Sequence, residues 1–170
     1  KVGPALAAGC TVVLKPAPDT PWAASAVAHL AATETDIPAG VLNVVNSSDH
    51  ALGAMLSTDP RVDLVSFTGS TATGRKVMAS AAETLKRVFL ELGGKSAFII
   101  LDDADLASAA ALAAFTACTH AGQGCAITTR LLVPRARYDE AVEATAATMG
   151  ALPAGDPNDP GTICGPVISA

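Results

Sequence analysis

Residues 62–74, VDLVSFTGSTATG, join an apolar strand directly to a helix. Val62 to Phe67 is predicted to be the strand, and the following helix is predicted to begin at Ser70 and end near Ala82. A helix that follows a strand this closely is typical of a βα unit, in which a helix crosses over to the next parallel strand.

The same alternation runs through the first half of the chain. Strands are predicted at 11–15, 41–45 and 86–92, and helices at 22–32 and from Ser48 or Asp49 to Leu56. Because the links are short and the helices are rich in alanine, the units are expected to form a parallel sheet covered by helices. The predicted fold class is α/β, with a doubly wound parallel sheet.

A second domain is predicted to begin after Gly93-Gly94, which has the composition of a hinge. It is expected to contain strands at 97–101 and 129–133, an alanine-rich helix that ends near His120, and an amphipathic helix at 137–149. The alanine-rich helix is apolar on most faces and is therefore expected to be buried. The predicted domains are 1–92 and 93–170.

The composition favours a globular protein with a large core. Half of the 170 residues are hydrophobic, 16% are charged, and the formal net charge is −5. The absence of a basic cluster argues against nucleic-acid binding, and no apolar run is long enough to span a membrane. The four cysteines lack CxxC or zinc-ligand spacing, so reduced thiols in a cytoplasmic protein are expected. The sequence begins at Lys1, and the native N-terminus is expected to lie upstream.

Cys125 is the candidate nucleophile. It follows Ala121-Gly122-Gln123-Gly124, a loop of small and amide-bearing residues that leaves the sulfur accessible and brings backbone N–H groups close to it. Glu91 ends an apolar strand before two glycines, where it could serve the thiol or a water as a base. The alternatives are a small buried hydrophobe at Cys125 and a solvated carboxylate at Glu91.

The segment from Thr68 to Gly74 could hold a phosphate. Free N–H groups and the positive end of the helix point at one place there, and the Ser70 hydroxyl can donate as well. An ordinary helix cap at Ser70 explains the same residues. Lys15, at the carboxyl end of a strand, could hold a ribose hydroxyl or a phosphate, although a solvated lysine is the commoner role at such a position.

His120 is close to Cys125 in sequence, which suggests a Cys–His pair of the kind that cysteine hydrolases use. A histidine at the C-terminal end of its helix is the simpler interpretation. The acidic residues in 102–105 suit a helix N-terminus, and no metal site is predicted. Cys118 lies on the alanine-rich helix and is expected to belong to the core.

Four motifs together resemble those of the NAD(P)-dependent aldehyde dehydrogenase superfamily. In chain order they are Lys15-Pro16, Phe67-Thr68-Gly69-Ser70-Thr71-Ala72-Thr73-Gly74, Leu90-Glu91-Leu92-Gly93-Gly94-Lys95-Ser96 and Gly122-Gln123-Gly124-Cys125. The opening residues 3–9 and the late residues 165–169 are similar to the family's pattern as well. The resemblance extends over all 170 residues and implies roughly the middle third of such an enzyme.

The resemblance implies oxidation of an aldehyde to a carboxylic acid with NAD or NADP. Cys125 corresponds to the nucleophile, which forms a thiohemiacetal and then a thioester, and its backbone N–H contributes to the oxyanion hole. Glu91 corresponds to the general base. The implied cofactor-binding residues are Lys15 at the adenosine ribose, Gly69 and Ser70 at the pyrophosphate, and Thr68 and Leu92 near the nicotinamide, together with Thr71, Ala72, Thr73 and Gly74. Residues 1–92 would then be part of the cofactor domain and 93–170 part of the thiol domain, in an enzyme that forms homo-oligomers when complete.

Two positions depart from the family's pattern. Pro18 replaces a glutamate that many NAD-preferring members carry, and Ser47 replaces a glycine near the adenosine. The family's oxyanion-hole asparagine and its second ribose-binding glutamate would lie outside 1–170, so the chain alone is expected to show little turnover. The alternatives are a non-catalytic nucleotide-binding fragment or pseudoenzyme, and a cysteine hydrolase that uses Cys125 and His120.

Overall fold

The computed structural model describes residues 1–169 as alternating helices and strands. The helices are α1 (Val2–Ala7), α2 (Trp22–Thr33), α3 (His50–Thr58), α4 (Thr71–Ala82), α5 (Leu106–Cys118) and α6 (Tyr138–Ala151). The strands are β1 (Val12–Leu14), β2 (Leu42–Val44), β3 (Leu64–Gly69), β4 (Arg87–Leu92), β5 (Ala97–Ile99) and β6 (Arg130–Leu132). Two short 3-10 helices span Thr119–Gly122 and Arg135–Arg137. The chain divides into two compact units, the first at Lys1–Glu91 and the second beginning at Leu92.

The first unit contains two pairs of strands. β1 and β2 are parallel, with Val12 opposite Leu42 and Leu14 opposite Val44. β3 pairs with β4. Helix α2 packs against β2, and α4 packs against both β3 and α3. The predicted α/β class is confirmed, with helices covering short strands.

The second unit is organised around α5 and α6, which pack against each other. Beside them β5 and β6 form a parallel pair in which Ala97 is opposite Arg130. Ile100, Leu106 and Ala141 form the buried centre of this unit. Because Leu106 begins α5 and Ala141 lies in α6, this cluster joins both helices to the end of β5.

Side-chain caps explain where three of the helices begin. The side chains of Asp49, Ser70 and Asp105 each accept a hydrogen bond from a backbone N–H in the first turn of the next helix. At Asp105 the Ser108 hydroxyl donates a further bond of 2.6 Å. That bond and the helix N–H groups hold the pKa of the Asp105 carboxyl below its usual value. The cap at Ser70 is the predicted one, Asp49 is one of the two caps predicted for α3, and Asp105 lies within the acidic residues 102–105 that were predicted to begin a helix.

Helix α5 is less buried than its composition suggests. Its buried residues are Leu106, Ala110, Ala113 and Ala114. By contrast, Leu112 is 54% exposed and Phe115 is 42% exposed. The prediction of a helix buried on most faces is wrong for the described residues, because small alanines let α6 approach one side closely and leave the larger side chains outside that contact.

A buried lysine connects β4 to the loop before β3. Lys86 is only 8% exposed. Its Nζ donates to the carbonyl oxygen of Asp59 and, at 2.7 Å, to that of Val62. Asp59 is itself held by Arg61, whose guanidinium and backbone N–H donate to its carboxylate and lower its pKa. Charge-assisted hydrogen bonds from Lys86 and from Arg61 thus fix the conformation of the loop.

Within residues 1–169, the helices are all too short or too polar to cross a membrane.

Candidate active site

The predicted site residues are divided between the two units. Cys125 lies in the second unit, in the loop that follows α5 and its 3-10 turn. Glu91 is an exposed residue near the end of β4 in the first unit. Lys15 and residues 68–74 also belong to the first unit, whereas Leu92 begins the second.

A left-handed turn leads to Cys125. His120 and Ala121 have φ values of 51° and 54°, and Gly122 follows with a φ of 76°. The Gln123 N–H closes the turn by donating to the His120 carbonyl at 3.1 Å. A positive φ costs a residue with a side chain roughly 1–2 kcal/mol, so two such residues in succession store strain beside the candidate nucleophile.

The turn also changes the interpretation of His120. Helix α5 ends at Cys118, and His120 lies beyond it as an exposed residue of the 3-10 turn. Its carbonyl accepts the hydrogen bond that closes the turn. The backbone of His120 therefore helps to shape the turn that leads to Cys125.

Contacts on both sides hold the loop that carries Cys125. The Gln123 side-chain oxygen accepts a hydrogen bond from the Ile168 N–H at 3.3 Å. A Cβ at Gly124 would lie 2.6 Å from Cγ1 of Ile127, so glycine allows Ile127 to pack against the loop. Cys125 is exposed and its thiol is free. An electrophile can therefore reach the sulfur in this chain, as a nucleophilic role at Cys125 requires.

We expect the substitution Ala121→Gly to stabilise the protein slightly or to leave its stability unchanged. Glycine adopts the left-handed conformation without steric cost, and this gain offsets the extra entropy of the unfolded chain. The matched control is Ala111→Gly in the middle of α5, since Ala111 is half-buried like Ala121, and it should lower the free energy of unfolding by roughly 1 kcal/mol. Urea denaturation measures both. A loss at Ala121→Gly as large as that at Ala111→Gly would contradict the strained turn.

The end of β3 and the start of α4 form the candidate phosphate site. The Ser70 side chain caps α4 by accepting from the Thr73 N–H at 3.2 Å. The first intrahelical bond runs from the Gly74 N–H to the Ser70 carbonyl at 2.9 Å, which leaves the N–H groups of Thr71 and Ala72 directed out of the helix. A Cβ at Gly69 would overlap the Phe67 ring. The turn therefore combines the helix cap with the N–H groups that an anion requires.

A cavity of about 430 Å³ lies near the end of β1. It is lined by residues of the two loops that follow β1 and β2: Pro16, Ala17, Pro18, Pro21, Asn46, Ser47 and Ser48. Lys15 precedes this wall, and its Nζ donates to the Pro16 carbonyl at 2.9 Å. Sequence reasoning did not identify Asn46 and Ser48, because only the packing of the two loops against each other places them there.

Both departures from the family's pattern, Pro18 and Ser47, lie in the wall of this cavity. The wall contains hydroxyl and amide groups but no carboxylate among the described residues. The cavity thus combines apolar proline and alanine residues with the polar groups of Asn46, Ser47 and Ser48. Separately, the free N–H groups at the start of α4 suit an anion such as a phosphate. The described residues contain no cluster of three or more His, Cys, Asp or Glu side chains suited to a metal ion.

Comparison with known proteins identifies the family. The model of the aldehyde dehydrogenase family matches residues 1–170, the whole chain. The chain belongs to the aldehyde dehydrogenase family.

The relatives that the chain matches include aldehyde dehydrogenases that are named for different substrates. The NADP(+) succinate-semialdehyde dehydrogenase GabD of Escherichia coli K12 is 47% identical over 168 residues. Those residues are 99% of this chain and 35% of that enzyme. The 3-succinoylsemialdehyde-pyridine dehydrogenase of a Pseudomonas species is also 47% identical and is covered to the same 35%. The chain therefore spans about a third of the length of these aldehyde dehydrogenases.

Solved aldehyde dehydrogenase structures have the same fold. The Mycobacterium tuberculosis enzyme, complexed with NAD+, is 51% identical with a TM-score of 0.94, over 99% of this chain and 35% of that one. A mutant of the Pseudomonas syringae enzyme, complexed with NAD+ and octanal, is 42% identical with a TM-score of 0.96, over 100% of this chain and 35% of that one. The arrangement of helices and strands described above is thus that of the family.

Proposed function

We propose that this chain supplies the nucleophile and much of the cofactor site of an enzyme that oxidises an aldehyde to a carboxylic acid with NAD or NADP. The observation that carries the proposal is the Cys125 thiol, which is free, exposed and held behind a left-handed turn. The match of the aldehyde dehydrogenase family to all of residues 1–170 supports it. Residues 1–92 would belong to the cofactor domain and 93–170 to the thiol domain.

The cofactor would be held by residues of the first unit. Gly69, the N-cap Ser70 and the first residues of α4 (Thr71, Ala72, Thr73 and Gly74) would hold the pyrophosphate, since the N–H groups of Thr71 and Ala72 are directed out of the helix. Lys15 and the cavity beside Pro18 and Ser47 would hold the adenosine ribose. When bound, the cofactor would take a hydride from the substrate carbon, near Thr68 and Leu92.

The same cavity supports the use of both cofactors. A carboxylate in its wall would repel the 2′-phosphate of NADP and would instead bind the free hydroxyls of NAD. Pro18 carries no charge, and Ser47 and Ser48 offer hydroxyl donors. The relatives are named with either cofactor, since GabD is an NADP(+) enzyme and the M. tuberculosis structure holds NAD+. We therefore expect this enzyme to accept NADP at least as well as NAD.

Cys125 would carry the substrate through the reaction. Its thiolate attacks the carbonyl carbon of the aldehyde, and the Cys125 N–H donates to the oxygen that becomes negative. The hydride that leaves that carbon would pass to the bound cofactor, and a thioester would remain on the sulfur. Glu91 would then take a proton from a water, whose oxygen would attack the thioester and release the carboxylic acid and the Cys125 thiolate.

The proposal includes a homo-oligomeric assembly in the cytoplasm. Two large apolar side chains in the first unit are almost fully exposed, Trp22 at 84% and Leu85 at 91%. Apolar surface of this kind marks contact sites, which a further subunit or a further part of the same enzyme would cover.

The test of the proposal is NAD(P)H formation by the complete protein with a panel of aldehydes. The panel should contain straight-chain aldehydes, aromatic aldehydes and semialdehydes that carry a second carboxylate, each with NAD and with NADP. We expect turnover with at least one class, and a carboxylic acid as the product. Cofactor binding without any turnover would contradict the proposal and would indicate a nucleotide-binding pseudoenzyme.

We expect Glu91→Gln to reduce steady-state turnover by roughly 10²–10⁴-fold, because an amide cannot accept the proton of the attacking water. The thioester still forms, so a burst of about one equivalent of NAD(P)H per Cys125 should precede the slow phase. Stopped-flow absorbance measures both phases. Glu83→Gln is the matched control, since Glu83 is also exposed and follows α4. Unchanged steady-state turnover in Glu91→Gln would exclude Glu91 as the base.

A further inference from the structure

Two cysteines far apart in sequence meet in the second unit. Cys118 is the last residue of α5, and Cys164 follows α6. The Cys164 Sγ donates to the Cys118 carbonyl oxygen at 3.2 Å, although the two residues are 46 positions apart. Both are free thiols of intermediate burial. A small reagent can therefore reach them, in contrast to the core position predicted for Cys118.

The backbone on each side of the pair is fixed. Cys118 ends a helix whose inner residues, among them Ala114, are fully buried. Cys164 donates its N–H to the Pro153 carbonyl at 3.0 Å, and its own carbonyl accepts from the Gly155 N–H at 3.1 Å. These bonds form a short parallel bridge between Ala154 and Cys164. The two cysteines are thus held beside each other by the fold, and rotation of their side chains decides the distance between the sulfurs.

The two thiols also interact through their side chains. Burial raises the pKa of the Cys118 thiol, and the neighbouring Cys164 raises it further by charge repulsion and by a side-chain hydrogen bond. A buried thiol with no neighbouring cysteine would be inert, whereas Cys118 has a second cysteine whose sulfur contacts its own carbonyl oxygen, and such a pair can be oxidised to a disulfide. The pair alone offers too few ligands for a stable metal site.

We propose that Cys118 and Cys164 form a reversible dithiol–disulfide couple whose oxidant is a small disulfide such as oxidised glutathione. One protein thiolate attacks a sulfur of the oxidant, which forms a mixed disulfide and releases one molecule of reduced thiol. The second protein thiol loses its proton and attacks the mixed disulfide, which forms the Cys118–Cys164 bond and releases the second reduced thiol. Two electrons pass from the protein to the oxidant, and excess reduced glutathione reverses both steps.

The disulfide would connect the end of α5 to the segment that also contacts the Cys125 loop. That segment continues to Ile168, whose N–H donates to the Gln123 side chain. Closing a loop of 46 residues restricts the unfolded chain, so the oxidised form should unfold at a higher temperature. The couple does not depend on the proposed aldehyde oxidation, and it can be tested without it.

The experiment uses the double variant Cys10→Ser/Cys125→Ser, in which Cys118 and Cys164 are the remaining cysteines of residues 1–170. The protein is incubated with oxidised glutathione, and intact mass spectrometry and peptide mapping follow. We expect the loss of two hydrogens, a peptide that joins Cys118 to Cys164, and an increase in Tm of about 5 °C or more that reduced glutathione reverses.

Cys118→Ser and Cys164→Ser in the same background are the controls. Each should keep one glutathione on its remaining cysteine and show no increase in Tm. Peptide mapping of the unaltered protein provides a second test if the double variant fails to fold. Two stable glutathione adducts, a disulfide between two molecules only, or no reaction would each overturn the proposal.

Discussion

Replacing Cys125 with alanine is expected to reduce kcat/KM for aldehyde oxidation by at least roughly 10⁴-fold. The alanine variant has no sulfur to form the thiohemiacetal or the thioester, and no neighbouring group can supply an equivalent nucleophile in the same loop. Because Cys125 is exposed, the substitution should change the free energy of unfolding by no more than about 0.5 kcal/mol. NAD(P)H absorbance measures the loss, and urea denaturation tests the fold.

Cys10→Ala is the matched control for this substitution. Cys10 is also exposed and free, but it lies near the start of the first unit. Its replacement should leave turnover within about twofold of the unaltered protein. Cofactor affinity should be similar in both variants, because neither thiol is among the residues proposed to hold the nucleotide. Turnover that survives Cys125→Ala would exclude the thioester mechanism, whatever the substrate.

The substitution Lys86→Met is expected to have the second large effect, a loss of stability. The methionine side chain has a similar length but no donor, so the carbonyls of Asp59 and Val62 lose their partner. Hydrogen bonds from a charged donor stabilise by roughly 1.5–3 kcal/mol each, and removal of a buried charge offsets part of this loss. We expect the free energy of unfolding to fall by about 2–4 kcal/mol.

Urea denaturation followed by circular dichroism measures this loss. The control is Lys76→Met, since Lys76 is an exposed residue of α4 and its replacement should cost no more than about 0.5 kcal/mol. Lys86→Arg should recover part of the stability, because the guanidinium can donate to both carbonyls but needs more space. Equal midpoints for Lys86→Met and Lys76→Met would show that the buried lysine does not fix the loop.

Local signals in the sequence predicted the elements well. The caps at Asp49, Ser70 and Asp105 mark the starts of three helices, and each cap contacts residues only two or three positions away. Apolar β-branched runs located the strands of the parallel pairs β1–β2 and β5–β6. Information of this kind is contained in a few neighbouring residues, which is why sequence reasoning can use it.

Features that depend on distant contacts could not be predicted in this way. Lys86 lies at the start of a predicted strand. Its burial is explained only by its hydrogen bonds to backbone carbonyls of a loop 24 to 27 residues earlier in the chain. The left-handed backbone at Ala121 has no signal in sequence, because alanine does not favour a positive φ. The contact between Cys118 and Cys164 requires the whole of α6 and its links to be in place.

The candidate site also combines residues that local motifs predict with residues that only the folded chain brings together. Motifs named Cys125, Glu91 and the turn at 68–74, because the chemistry of a thiol, a base and an anion cradle limits which residues can serve. The sequence does not predict Asn46 and Ser48 as site residues, because they line the cavity only once the loop after β2 packs against the loop after β1.

The packing of Ile127 against Gly124 has a consequence for how this loop can evolve. The space that a Cβ at position 124 would occupy is filled by the Ile127 side chain. A side chain at 124 therefore requires the Ile127 side chain to rotate out of that space or to be replaced by a smaller one. The residue directly before the candidate nucleophile and the residue two positions after it are thus coupled, and a substitution at one changes which side chains fit at the other.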